Sequence, residues 1–144
     1  MALRDQIQED LKNGMRAHDQ HLVITLRSLL AAVKQIEVDS RSEASEEQVI
    51  NVLMQEVKKR RDTLKYAEQQ QRQDMIKQNN AEIAMLQKYL GEQLSREELE
   101  RIIDAAISAG ADSIGKVMGV LNKEHKGRFE GRLASEICRV KFAK

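Results

Sequence analysis

The chain has 144 residues, 41% of them hydrophobic, and sets 24 Lys and Arg against 23 Asp and Glu for a net charge of +1. That length suits one compact unit or two small helical ones, and the apolar fraction is enough for a core. A single cysteine, Cys138, excludes an intramolecular disulfide framework, and no run approaches the roughly 20 apolar residues that span a bilayer, so a reducing compartment, a cytoplasmic location and no membrane partner are expected.

Proline is absent and aromatics make up 3%. The sequence is rich in Leu, Ala, Glu, Gln, Lys and Arg, residues that lose little rotamer freedom in a helix, and it has no alternating strand-like runs. An all-α fold is therefore predicted. Leu3, Ile7, Leu11 and Met15 recur every four residues and predict a first amphipathic helix ending near Gly14 to His18. Leu22, Leu26, Leu29, Val33 and Ile36, widened by Val23 and Leu30, predict a second that stops at the polar DSRSEAS segment.

Ser45 is placed to cap a long third helix, with Glu46 and Glu47 in its first turn, Ile50, Leu53, Val57 and Leu64 on one face, and Tyr66 closing the stripe. Met75, Ile76, Ile83, Leu86 and Leu90 define a fourth, and Gly91 supplies a positive-φ stop. A boundary near Gly91 to Leu94 then divides residues 1–91, an N-terminal bundle of about four helices, from residues 92–144, a three-helix domain. In the second part Ser95 to Glu98 reads as a capping box before Leu99, Ile102, Ile103, Ala106 and Ile107, and Gly110 stops that helix. Ile114, Val117, Met118 and Leu121 make the sixth helix, and Leu133, Ile137 and Val140 the last.

Few residues point to catalysis. No G-x-x-x-x-G-K-[ST] loop follows a strand and no nucleophile elbow is present, and Cys138, beside Ile137, reads as packing. His18 and His21 flank Asp19 at a helix junction, where a cap or a solvated turn fits better than a metal site needing three or four ligands. No catalytic residue, metal or cofactor is expected. The run Lys58 to Arg61 reads as a solvated face in which Glu56 pairs with Arg60 and Lys58 with Asp62, each pair contributing about 0.2–0.5 kcal/mol.

Charge is uneven along the chain: residues 1–110 carry 16 bases and 19 acids, residues 111–144 carry 8 and 4. The segment GKVMGVLNKEHKGRFEGR, residues 115–132, concentrates the glycines with the bases. Gly115 and Gly119 stand four apart and admit a close neighbour, Gly127 sits at a turn, and Gly131 opens the last helix. Lys126, Arg128 and Arg132 bracket the turn, so backbone N–H groups and cations could meet a phosphate together. A tight helix-turn-helix joint with solvated bases reads equally well.

The order Gly115-Lys-Val-Met-Gly119, then Lys126-Gly127-Arg128, then Gly131, resembles the tail domain of the YqeY family, which is shared with the tail of the B subunit (GatB) of the tRNA-dependent amidotransferase. Arg27 in TLRSLLAAVK, Glu56 to Lys58, Arg60 to Asp62, Arg72 with Asp74-Met75, Ala81 to Ile83, and Tyr89-Leu90 before Glu92 to Leu94 extend the resemblance over nearly the whole chain. The pattern departs from the family at Gly91, where proline is usual, at Phe129-Glu130, where Ala-Asp is usual, and at Gln71, where glycine is usual. Gly91 does not fix φ as proline would.

The resemblance implies a non-catalytic adaptor for tRNA or another structured RNA, with Lys116, Lys123, Lys126, Arg128, Arg132 and Arg139 on phosphates. An alternative is a protein-interaction module using the same C-terminal surface. A third reading, a carbon–nitrogen ligase with glutamine as amido-N-donor, belongs to the related complex, whose chemistry lies outside its tail domain.

Overall fold

The computed structural model describes residues 2–143, and among them the chain is all-α, with no strand. Its helices are α1 (Leu3–Arg16), α2 (Gln20–Ser40), α3 (Glu46–Gln69), α4 (Gln73–Leu90), α5 (Arg96–Ser108), α6 (Ile114–Glu124) and α7 (Gly131–Phe142). They form two compact units, one running to Tyr89 and the other starting at Leu90.

In the first unit Ile7, Leu26, Leu29, Val33, Val49, Leu53, Val57 and Leu86 are buried, bringing together the apolar faces of α1 to α4. The turn between α1 and α2 takes three residues. His18 adopts a left-handed φ of 58° and Asp19 caps α2 by accepting from the Leu22 backbone N–H. Gly14 lets α2 sit close at this joint: a Cβ there would lie 3.1 Å from Leu22 Cδ2, so the leucine would have to shift. Ser45 and Gln48 close a capping box on α3, the cap that the serine and the acidic first turn predict.

Two predicted stripe residues lie outside this core: Met15 is 48% exposed and Tyr66 57%. Strict four-residue steps advance about 40° each, so Met15 stands about 80° around α1 from the buried Ile7, and Gly14, about 20° from Ile7 on the other side, takes the buried place. Tyr66 comes nine residues after Val57, half a turn out of phase, and Ala67 is buried instead.

The second unit closes around Leu99 and Ile103 of α5, Val117 and Leu121 of α6, and Ala134, Ile137 and Cys138 of α7, with Phe129 wedged among them. The Ser95 and Glu98 capping box is formed, and Ser113 caps α6 by accepting from Lys116 N–H. Gly91 and Gly110 have φ of 89° and 115°, the stops that the sequence predicts. Val140, expected inside, is 63% exposed because it falls about 120° around α7 from Ala134.

Candidate nucleic-acid interface

The turn between α6 and α7 is held by residues 92–94. Leu94 N–H donates to Arg128 O at 2.7 Å, Gln93 Nε2 to Gly127 O at 2.7 Å, and Arg128 Nε to Glu92 O at 2.9 Å. Gly127, with φ of 81°, supplies the reversal that a Cβ would strain. Phe129, the departure from the family pattern, is 8% exposed and anchors the turn to the core, so its ring is not available to stack on a base.

The six predicted contact residues divide among three segments. Lys116 and Lys123 lie on the exposed side of α6, seven residues apart, and Arg132 and Arg139 repeat that arrangement on α7. Seven residues are two turns, so each pair shares a face at a separation of about 10 Å along its helix. Lys126 and Arg128 sit half-buried in the turn. Lys116 pairs with Asp112 at 2.8 Å on an exposed edge, whereas Lys123, Arg132 and Arg139 make no ion pair among the described residues. Arg128 spends its Nε on the Glu92 carbonyl, and its charge also helps to hold the Glu98 carboxyl below the usual range, behind the larger effect of hydrogen bonds at Ser95.

Of the four glycines, Gly127 lies in the α6–α7 turn with positive φ and Gly131 is the first residue of α7. A Cβ at Gly119 or Gly131 would meet nothing within 4 Å, and one at Gly115 only Ser113 Oγ at 3.9 Å. The α6 glycines thus present an open, exposed strip. Nearby, Lys141 pairs with Asp104 at 2.8 Å, a bond that raises the Lys141 pKa, and burial pushes the Cys138 thiol up. Among the described residues no cluster of three or more His, Cys, Asp or Glu could hold a metal, and no helix is long and apolar enough to cross a membrane.

The first unit holds a charged network whose extent sequence spacing did not reveal. Arg60 Nε donates to Glu82 at 2.9 Å and its Nη1 to Glu56 at 3.3 Å, while His21 Nε2 reaches the other Glu82 oxygen at 3.1 Å. Lys59, three residues on, takes the Glu56 carboxylate at 3.3 Å, and the predicted Lys58 to Asp62 pair is not formed. A usable signal was present: Glu56 follows Leu53 by three residues and precedes Val57, in phase with the buried face, and it is 6% exposed. Arg4 forks onto Glu37 in the same unit, and Tyr89 Oη donates to Asp10 at 2.5 Å.

A family model described as Yqey-like protein matches residues 4–142. The chain belongs to the YqeY family. Among curated relatives of this YqeY-family chain is altered inheritance of mitochondria protein 41 of Pyrenophora tritici-repentis (strain Pt-1C-BFP), 24% identical over 127 residues, which are 85% of this chain and 70% of the relative. The protein of the same name from Lachancea thermotolerans (strain ATCC 56472 / CBS 6340 / NRRL Y-8284) is 29% identical over 103 residues, 71% of this chain and 54% of the relative. Both carry the designation mitochondrial, which overturns the cytoplasmic location expected from the lone cysteine. A lone cysteine reports only a reducing compartment, and an organelle matrix satisfies that equally. Neither the family description nor the relatives' names carries a catalytic activity.

Proposed function

We propose that the C-terminal unit of this YqeY-family chain is a non-catalytic docking surface for the phosphate backbone of tRNA or another structured RNA. Lys123, Arg132 and Arg139 are the principal contacts, and Lys116, Lys126 and Arg128 border them. The observation that carries this reading is the doubled spacing: α6 and α7 each present two cations two turns apart on an exposed face, and three of the four make no ion pair among the described residues. Because Phe129 is buried, binding relies on charge and shape, with no stacked base. A mitochondrial setting is supported by the names of the two relatives.

Electrophoretic or filter binding of tRNA over a salt series tests the proposal. Three phosphate contacts give a slope of log K against log salt of about −2 to −3, at roughly 0.7 to 0.9 per contact. Lys123→Glu with Arg132→Glu and Arg139→Glu should abolish binding. Affinity indifferent to salt, or retained by the triple variant, refutes the reading.

A second reading, a protein-docking face, is favoured by the open strip at Gly115 and Gly119, where a partner helix could approach the α6 backbone. Gly119→Leu would then abolish a nuclease-resistant pull-down while leaving tRNA affinity unchanged. Carbon–nitrogen ligase chemistry, the third reading, has no residue constellation to favour it. Purified protein given glutamine, ATP and misacylated tRNA should yield no amidated product.

A further inference from the structure

The side of α2 that faces away from Leu26, Leu29 and Val33 repeats with a period of seven. Ile24, Ala31 and Val38 form one row, and Arg27, Lys34 and the C-cap residue Arg41 form a second about 60° around the helix. All six are exposed, and Ile24 and Val38, at 66% and 61%, are among the most exposed large apolar side chains of the chain. Single exposed apolar residues are ordinary. A row of them in register with a row of cations is not, because a surface helix ordinarily turns polar residues to this side.

Behind the hydrogen bond from Arg4, Lys34 adds a small share to the lowering of the Glu37 carboxyl. None of the three cations makes an ion pair among the described residues, and the contact of the Arg27 side chain is Nη2 to Met15 Sδ at 3.9 Å. That contact sets the half-exposed Met15 beside the cation row at its N-terminal end. At the other end Lys34, Val38 and Arg41 border an open groove of about 710 Å³ whose lining is of mixed charge, with Asp5, Glu37, Glu43 and Glu46 beside Arg4, so the cation row is read along α2 and not inside the groove.

We infer that this face of α2 docks an acidic amphipathic helix of a partner protein, with apolar residues every seven positions against Ile24, Ala31 and Val38 and carboxylates opposite Arg27, Lys34 and Arg41. A seven-residue register is the repeat with which one helix lies along another, and the small Ala31 at the centre lets the backbones approach. Charge selects the partner. A phosphate backbone would answer the cations but set two of the chain's more exposed large apolar side chains against a charged polymer, and a second copy of this face would set cation against cation. The proposal concerns the first unit and stands apart from RNA docking by the second.

The probe is a stapled, fluorescently labelled helix of about three heptads with Leu in one row and Glu in the flanking row, compared with the same helix carrying Lys for Glu. The full chain should bind the Glu helix at least about tenfold more tightly than the Lys helix. Arg27→Glu with Lys34→Glu and Arg41→Glu should invert that preference, and Ile24→Ser with Val38→Ser should weaken both. These positions are exposed, so an unchanged urea midpoint from tyrosine emission certifies that each variant folds. Equal affinity for the two helices, or no binding of either up to about 1 mM, overturns the inference. So does a dimer in sedimentation that Ile24→Ser with Val38→Ser disrupts, or loss of tRNA affinity in the triple charge reversal.

Discussion

Replacing Arg60 by Met tests whether the first unit depends on its internal charges. The guanidinium serves Glu82 at 2.9 Å and Glu56 at 3.3 Å, and the Arg60, Glu82 and Glu56 side chains are only 14%, 14% and 8% exposed. Methionine keeps most of the stem's packing but leaves two largely buried carboxylates with His21 and the exposed Lys59 as their remaining basic partners. Removing one partner of a fully buried pair costs about 3–5 kcal/mol; residual exposure and the two neighbours reduce the expected loss here to about 2–3 kcal/mol. For a unit of this size that is a fall in Tm of about 8–24 °C. Tyr66 and Tyr89, the two tyrosines, both lie in the first unit and there is no tryptophan, so tyrosine emission during a urea titration reports this unit alone.

The same variant has a pH signature. Burial by itself would raise the Glu82 carboxyl, but hydrogen bonds from His21 and Arg60 outweigh it and hold the group below its ordinary value. A carboxyl lowered on folding contributes stability that is complete above its unfolded pKa of about 4.3 and is lost as pH falls through the lower folded value. The gap between wild type and Arg60→Met should therefore be widest near neutral pH and narrow below about pH 4. Arg60→Lys, which keeps the charge and loses the fork, should fall between them. A gap under about 0.5 kcal/mol at neutral pH, or one that acid leaves unchanged, refutes the claim that these charges hold the unit together.

In the second unit, Ser95→Ala removes the side chain that accepts from Glu98 N–H and breaks the capping box, so a loss of about 1 kcal/mol is expected in amide-detected urea unfolding. Phe129→Ala empties a site at the α6–α7 turn and costs about 3–5 kcal/mol, enough to unfold a small three-helix core; the far-ultraviolet helix signal should fall while tyrosine emission stays native. Cys138 has no exposed surface and its thiol is pushed up by burial, so a disulfide reagent at neutral pH should label it only as urea opens this unit; rapid labelling of the native chain would contradict the packing.

Apolar periodicity made the helices legible because amphipathic faces are written at three- and four-residue intervals, and the stops at Gly91 and Gly110 followed from the φ values that those turns need. The misplaced residues share one cause. Met15, Tyr66 and Val140 were assigned by hydrophobicity within a row, but phase decides burial, and Gly14, Ala67 and Ala134 hold the inward places with little apolar area to announce them. Glu56 shows the converse error, since a charged residue in phase with Leu53 and Val57 was read as a surface partner because carboxylates seldom enter a core. The positions of the predicted contact residues on α6 and α7 follow from helix register. The engagement of Arg128 with Glu92 depends on a segment 36 residues away and has no local signal.

Charge counted along the sequence points to the C-terminal segment, and the structure changes what that count means. There, Lys116 is balanced by Asp112, Lys141 by Asp104, and Arg128 is partly committed to a backbone carbonyl, so the excess reduces to a few outward cations on α6 and α7. The first unit, with no excess by count, leaves Arg27, Lys34 and Arg41 without an ion pair among the described residues, while Arg4 holds Glu37 and Arg60 holds Glu56 and Glu82. A partner that reads charge encounters two basic surfaces on this chain, and what distinguishes them is the company the cations keep: exposed glycine beside Lys116 and Lys123, and exposed apolar side chains beside Arg27, Lys34 and Arg41. An open backbone strip tolerates a rigid polyanion, whereas Ile24 and Val38 gain only from a partner that brings apolar surface of its own.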